Sequence, residues 1–73
     1  MTTPATKAHH DELRNVCENY PVFAGNTISH KTARDICGYG WIERNKNGDW
    51  IPTGAGLVQY KEDLASGMWE APQ

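Results

Sequence analysis

The sequence has no apolar stretch approaching the ~20 consecutive residues that a membrane-spanning helix needs, so no contact with a bilayer is expected. Its first dozen residues, MTTPATKAHHDE, have no apolar h-region, and a secretory leader is therefore not expected. Cysteine is scarce. Only Cys17 and Cys37 occur, which excludes a disulfide framework and suits a reduced, cytoplasmic protein. Both thiols are expected on inward helix faces, and a single bridge between them stays open. There is no excess of positive charge. Seven Lys and Arg face nine Asp and Glu, for a net charge of −2, and the isoelectric point is about 5.8. A domain that grips phosphate by bulk electrostatics shows the opposite balance, so DNA contact is disfavoured. Finally, no glycine-rich phosphate loop, no Cys–His pair at suggestive spacing and no serine elbow is present, so an enzyme is not expected.

What is there fits one small domain. A chain of 73 residues buries only about 60 % of the surface its unfolded form exposes, so each large side chain counts. The expected core is Leu13, Val16, Tyr20, Phe23, Ile36, Trp41, Ile42, Trp50, Ile51, Leu57, Tyr60 and Leu64. Residues 1–5 are expected to be a flexible N-terminus, 6–66 the domain and 67–73 a tail.

Thr3-Pro4 and Thr6 offer helix-start chemistry, a hydroxyl cap and a proline in the first turn, and Leu13, Val16, Cys17 and Tyr20 recur at the spacing of one helix face. A first helix over residues 6–19, stopped by Pro21, follows from that pattern. The connector PVFAGNT should plug Val22 and Phe23 into the core and turn at Gly25-Asn26. Ser29 or Thr27 then caps a second helix, His30 to Cys37. Next come two short strands, 41–44 and 49–52, around Asn47-Gly48, a strong hairpin signal. A two-residue turn would place Arg44 opposite Ile51 and Ile42 opposite Thr53; a four-residue loop would shift those pairs. Thr53 caps a third helix with Leu57, Tyr60 and Leu64 on its inward side, and Gly67 ends it. The fold class is α+β, in the order helix, helix, hairpin, helix, with the helices covering a ribbon that is not stable alone.

The stretch TARDICGYGWIERNKNGDWIPTGAGLVQY resembles the recognition-helix-to-wing segment of winged-helix domains. Gly40-Trp41-Ile42-Glu43-Arg44, Asn47-Gly48 and Thr53-Gly54-Ala55-Gly56 occupy the positions of the helix-ending glycine and first strand, the wing turn, and the Thr-x-x-Gly that opens the following helix. The resemblance covers about residues 28–60 and implies a small winged-helix-like domain with a hairpin wing. It departs from the family pattern at 21–29, where the connector is too short for a further regular helix. A second, looser resemblance rests on size, acidic balance and this core. The chain is similar to small lytic-phage proteins that bind and redirect host RNA polymerase, of the inhibitor and antiterminator type found in a Xanthomonas phage. That resemblance implies a non-enzymatic transcription regulator in the host bacterial cytoplasm with RNA polymerase as partner. The alternative is a sequence-specific DNA-binding winged-helix repressor.

Six residues are candidates for contact with a partner. Lys31 and Arg34 are expected on the outer face of the second helix, and Arg44 and Lys46 on the wing. With His30 they could form a positive strip, although Asp35, Glu43 and Asp49 interleave with them. Tyr39, between two glycines, is expected to be exposed. Trp69 lies beyond the last helix and either folds back as a lid or is offered to a partner. His9-His10-Asp11-Glu12 has the residue types of a metal site, but adjacent helical residues point about 100° apart. A solvated helix start is expected there, with no metal or cofactor. Gly54-Ala55-Gly56 is expected to let the third helix pack against the hairpin rather than to bind an anion.

Overall fold

The computed structural model describes residues 5–69. Helix α1 (Lys7–Asn19) is followed by a single 3-10 turn (Ala24–Asn26), helix α2 (His30–Gly38), strands β1 (Ile42–Arg44) and β2 (Trp50–Pro52), and helix α3 (Gly54–Ala65). The architecture is thus α+β, three helices around a two-stranded antiparallel hairpin. None of the helices is long and apolar enough to cross a membrane, among the described residues.

Each element begins where its sequence provides a cap. Thr6 precedes α1 in extended conformation, and its backbone N–H donates to Nδ1 of His9 at 2.8 Å. His9 thereby takes the place that Glu or Gln holds in a capping box. Ser29 caps α2 by accepting from Thr32 N, and Thr53 caps α3 by accepting from Gly56 N at 3.1 Å. Gly67, at φ 74°, closes α3: its N–H donates to Leu64 O and that of Met68 to Asp63 O. A left-handed residue past the last turn is the usual helix stop, and glycine enters it without steric cost.

The connector contributes more than a turn. Val22 exchanges both backbone hydrogen bonds with Trp50, at 2.9 and 2.8 Å, so it stands as a third strand position on the edge of β2. Val22 is buried as expected, but Phe23 is 65 % exposed. Successive residues of an extended segment point to opposite faces, so pairing Val22 inward sends Phe23 out.

The hairpin register is Ile42↔Pro52, Glu43↔Ile51 and Arg44↔Trp50. This lies one residue from the two-residue turn expected above. The chain reverses through a three-residue loop, Lys46 to Gly48, closed by Asn45 N to Asp49 O. Asn45 Oδ1 accepts from both Asn47 N and Asp49 N, and Gly48 takes φ 83°. The asparagine that sets the turn is therefore Asn45, acting through its side chain, while Gly48 supplies the left-handed residue of a bulged loop.

The core consists of Leu13, Val16, Val22, Ala33, Ile36, Ile42 and Trp50, with Cys17, Tyr39, Trp41 and Tyr60 packed at its margin. Removing each of the larger aliphatic side chains from water stabilises the fold by about 1.5–3 kcal/mol. Four expected core members are outside: Tyr20, Phe23, Leu57 and Leu64 are all exposed. For α3 the cause is steric. A Cβ built on Gly56 would stand 1.9 Å from the carbonyl oxygen of Trp41 and 3.2 Å from a Leu13 methyl. Only glycine permits that approach, so α3 docks along Gly56, Tyr60 and Asp63, and the leucines turn to solvent. The expectation that small residues let the third helix reach the hairpin holds; the expected leucine face does not.

Candidate functional site

Helix α1 is the hub of the polar chemistry. Glu12 is fully buried. Its carboxylate accepts from the backbone N–H groups of Ile28 and Ser29 at 3.1 and 3.0 Å, and from Asn15 Nδ2 at 3.1 Å. It thus places a negative charge at the N-terminus of α2, where the helix dipole favours one. His9 and His10 are not a solvated helix start. Nδ1 of His9 accepts the Thr6 N–H, so the ring carries its proton on Nε2 and donates it to Asp35 Oδ2 at 3.0 Å. His10 donates from Nδ1 to Asp63 Oδ2 at 2.7 Å, and Gln59 donates to the other Asp63 oxygen at 2.9 Å. The ~100° between neighbouring helical side chains lets one residue clip α2 and the next clip α3. Among the described residues, no three His, Cys, Asp or Glu converge as metal ligands.

The remaining acids on α1 are also engaged. Asp11 accepts from the indole N–H of Trp69 at 2.6 Å, and Glu18 accepts from Arg14 Nε at 3.1 Å and from the Tyr60 hydroxyl. The Tyr60 hydroxyl, then the Arg14 side chain, hold the Glu18 carboxyl below the usual carboxylate range, and the same bond raises the Tyr60 phenol. Cys17 is half-buried and free; burial, then the Glu18 and Asp63 carboxylates, push its thiol up to about 11. A thiol so placed is un-ionised and inert at neutral pH. Cys37 is also free, but it is exposed rather than inward-facing, so the two cysteines form no bridge.

The six candidate contact residues do not form one cluster. Lys31 and Arg34 stand on the outer face of α2, and Lys46 on the hairpin loop, all exposed. Arg44 lies across from Trp50 with its guanidinium 4.7 Å from the indole centroid. No carboxylate among the described residues pairs with any of these four, and Asp35, expected to offset them, is turned to His9. Tyr39 is half-buried, wedged edge-on between His9 and Trp41, because the α2 C-terminus packs back onto α1. Trp69 folds back onto α1 and α3. Its ring lies under Arg14 at 5.0 Å and against Tyr60 at 6.0 Å.

Sequence reasoning missed Glu12, His9, His10 and the outward apolar set of Tyr20, Phe23 and Ile28. For Glu12 and His9 a signal was present. Both fall with Leu13 and Val16 on the stripe at i, i+3, i+4 and i+7, and a carboxylate on a core stripe marks a buried acceptor. For His10 and the exposed apolar residues there was none in the local pattern.

No protein family, curated protein or solved structure matches the chain.

Proposed function

We propose that this is a non-enzymatic transcription regulator that works by binding the transcription machinery, as a phage-encoded inhibitor of host RNA polymerase initiation, a promoter of antitermination, or both. One observation carries the protein-contact part. Tyr20, Phe23, Ile28, Leu57, Val58 and Leu64 are all between 38 % and 65 % exposed, while His9, Glu12 and Asp63 are buried. A domain with 4900 Å² of surface that turns six large apolar side chains outward has surface suited to a protein partner.

The order of elements supports a winged-helix-like reading. A first helix, an extended residue paired to the wing, a short turn, a second helix and a hairpin follow one another as in that family. The Ala24–Asn26 turn stands where the missing helix would be. This also sustains the alternative, a DNA-binding winged-helix repressor, because no carboxylate among the described residues pairs with Lys31, Arg34, Arg44 or Lys46. Two experiments separate the readings. Pull-down from nuclease-treated bacterial lysate should recover RNA polymerase; its absence removes the leading reading. A gel shift with random duplex at low salt should show no retardation, and retardation that weakens steeply with salt favours the repressor.

A further inference from the structure

Two adjoining clefts open along the outer edge of α1 and share Asn15 and Asn19. One, of about 320 Å³, is bounded by Pro21, Val22, Phe23 and Asn26 and contains no ionisable side chain. The other, of about 340 Å³, lies between Ile28 and Trp69 over Asp11, Arg14 and Glu18. Such volumes sit at the lower end of ligand sites, with room for side chains rather than for a cofactor. Phe23 and Ile28, at 65 % and 63 % exposure, are the most exposed large apolar side chains of the described chain, and each walls one cleft.

We propose that this double cleft seats a short segment of a partner protein, which inserts an apolar side chain against Phe23 and lays a Lys or Arg beside Asp11 and Glu18. The inference rests on the protein-contact reading above and names the surface and the chemistry of its partner. Charge decides the occupant. The second cleft holds two carboxylates against one guanidinium, so it attracts a cation and repels a phosphate, which excludes nucleic acid here. Asp11 and Glu18 each spend lone pairs internally, on Trp69 and on Arg14 and Tyr60, yet an ionised carboxylate has about four acceptor sites and keeps room for one donor more. Between the clefts, Asn19 Nδ2 is bonded to Asn15 O and Oδ1. Its own amide oxygen has no donor among the described residues and is placed to accept a main-chain N–H of the segment. The uncharged cleft takes the apolar side chain because entry there leaves no charge unpaired.

The test uses the full chain, with a displayed library of random peptides as the probe. Selection should enrich an apolar residue with Lys or Arg a few positions away. Amide resonances of Asn15, Asn19, Phe23 and Ile28 should shift on adding the selected peptide. F23S and N19K, both at exposed positions, should weaken binding at least tenfold, while K61S, at an exposed position on α3, leaves it unchanged. Enrichment of nothing, shifts confined to α3 or the hairpin, unchanged binding by F23S and N19K, or resonances that move with protein concentration alone (a second copy in the cleft) would each overturn the proposal. Polymerase capture keeps the two readings apart. Capture undiminished in F23S and N19K sinks the cleft and spares the transcription role; peptides seated in the cleft without polymerase capture do the reverse.

Discussion

Helices α1 and α3 are close in length and both amphipathic in sequence, yet they use opposite rules to choose an inner face. α1 buries its apolar stripe, Leu13 and Val16, and adds Glu12 and His9 to it as satisfied polar groups. α3 buries Gly56 and Asp63 and exposes Leu57 and Leu64. The difference is set by backbone approach. α1 meets its neighbours through side chains, so hydrophobicity decides. α3 meets the hairpin through the Trp41 carbonyl, so the residue with no side chain decides, and the leucines follow geometrically. A helix face is chosen by its most restrictive contact, which is not always its most apolar one.

Gly56→Ala is the hardest blow to this contrast. A methyl placed 1.9 Å from a backbone oxygen has no flexible neighbour to displace, so we expect a loss of about 3 kcal/mol or more, at the upper end of overpacking costs. Thermal unfolding followed by circular dichroism should show the cooperative transition lowered by tens of degrees or lost. A stable G56A variant would mean that backbone approach does not set the α3 face.

Glu12→Ala comes next. It strips the acceptor from two backbone N–H groups at the start of α2 and should cost about 3 kcal/mol, because each buried unsatisfied donor costs about 1–3 kcal/mol. Glu12→Gln keeps one acceptor oxygen and should retain part of the stability. Equal effects in urea titration would argue that the charge, and not the hydrogen bonding, holds α2.

Glu18 gives a smaller, pH-dependent effect. Its folded-state carboxyl is lowered by Tyr60 and Arg14, so its contribution is present above the ordinary carboxyl range and is lost as pH falls through the lowered folded value. Tyr60 is shifted upward, so its contribution is present below the ordinary phenol value and fades as pH rises through the raised one. E18Q should flatten both limbs of the stability–pH curve, modestly, since the pair is exposed to solvent. An unchanged acid limb would show that the bond between α1 and α3 does not contribute.

Leu57→Ser and Leu64→Ser should have the least effect, within about 0.5 kcal/mol, against about 2–5 kcal/mol for Leu13→Ala. A loss at Leu57 or Leu64 comparable to that at Leu13 would return α3 to the side-chain rule.

Local pattern and capping residues were enough to place α1, α2 and α3 close to their observed bounds, because Thr6, Ser29, Thr53 and Gly67 act within a few residues of themselves. The hairpin was legible to within one residue; Asn45 escaped notice because the Asn47-Gly48 pair is the stronger generic turn signal, while the side chain of Asn45 closes the loop. The α3 face was not legible, since the Trp41 carbonyl that dictates it lies fifteen residues away. The clefts beside Asn15 and Asn19 were hidden for the same reason. Their walls, Phe23, Ile28 and Trp69, come from three segments, and each alone reads as an ordinary apolar residue. Of the contact candidates, Lys31, Arg34 and Lys46 were placed on the surface by helix and turn geometry alone. Tyr39 went inward because His9, a residue thirty positions earlier, offers it a ring.

The function proposed for the chain is protein contact with RNA polymerase rather than a grip on nucleic acid. The most direct measurement is equilibrium binding of the purified chain to purified bacterial RNA polymerase with no nucleic acid present. The account predicts a saturable, stoichiometric complex that forms without DNA or RNA; binding seen only when nucleic acid is added back would contradict it.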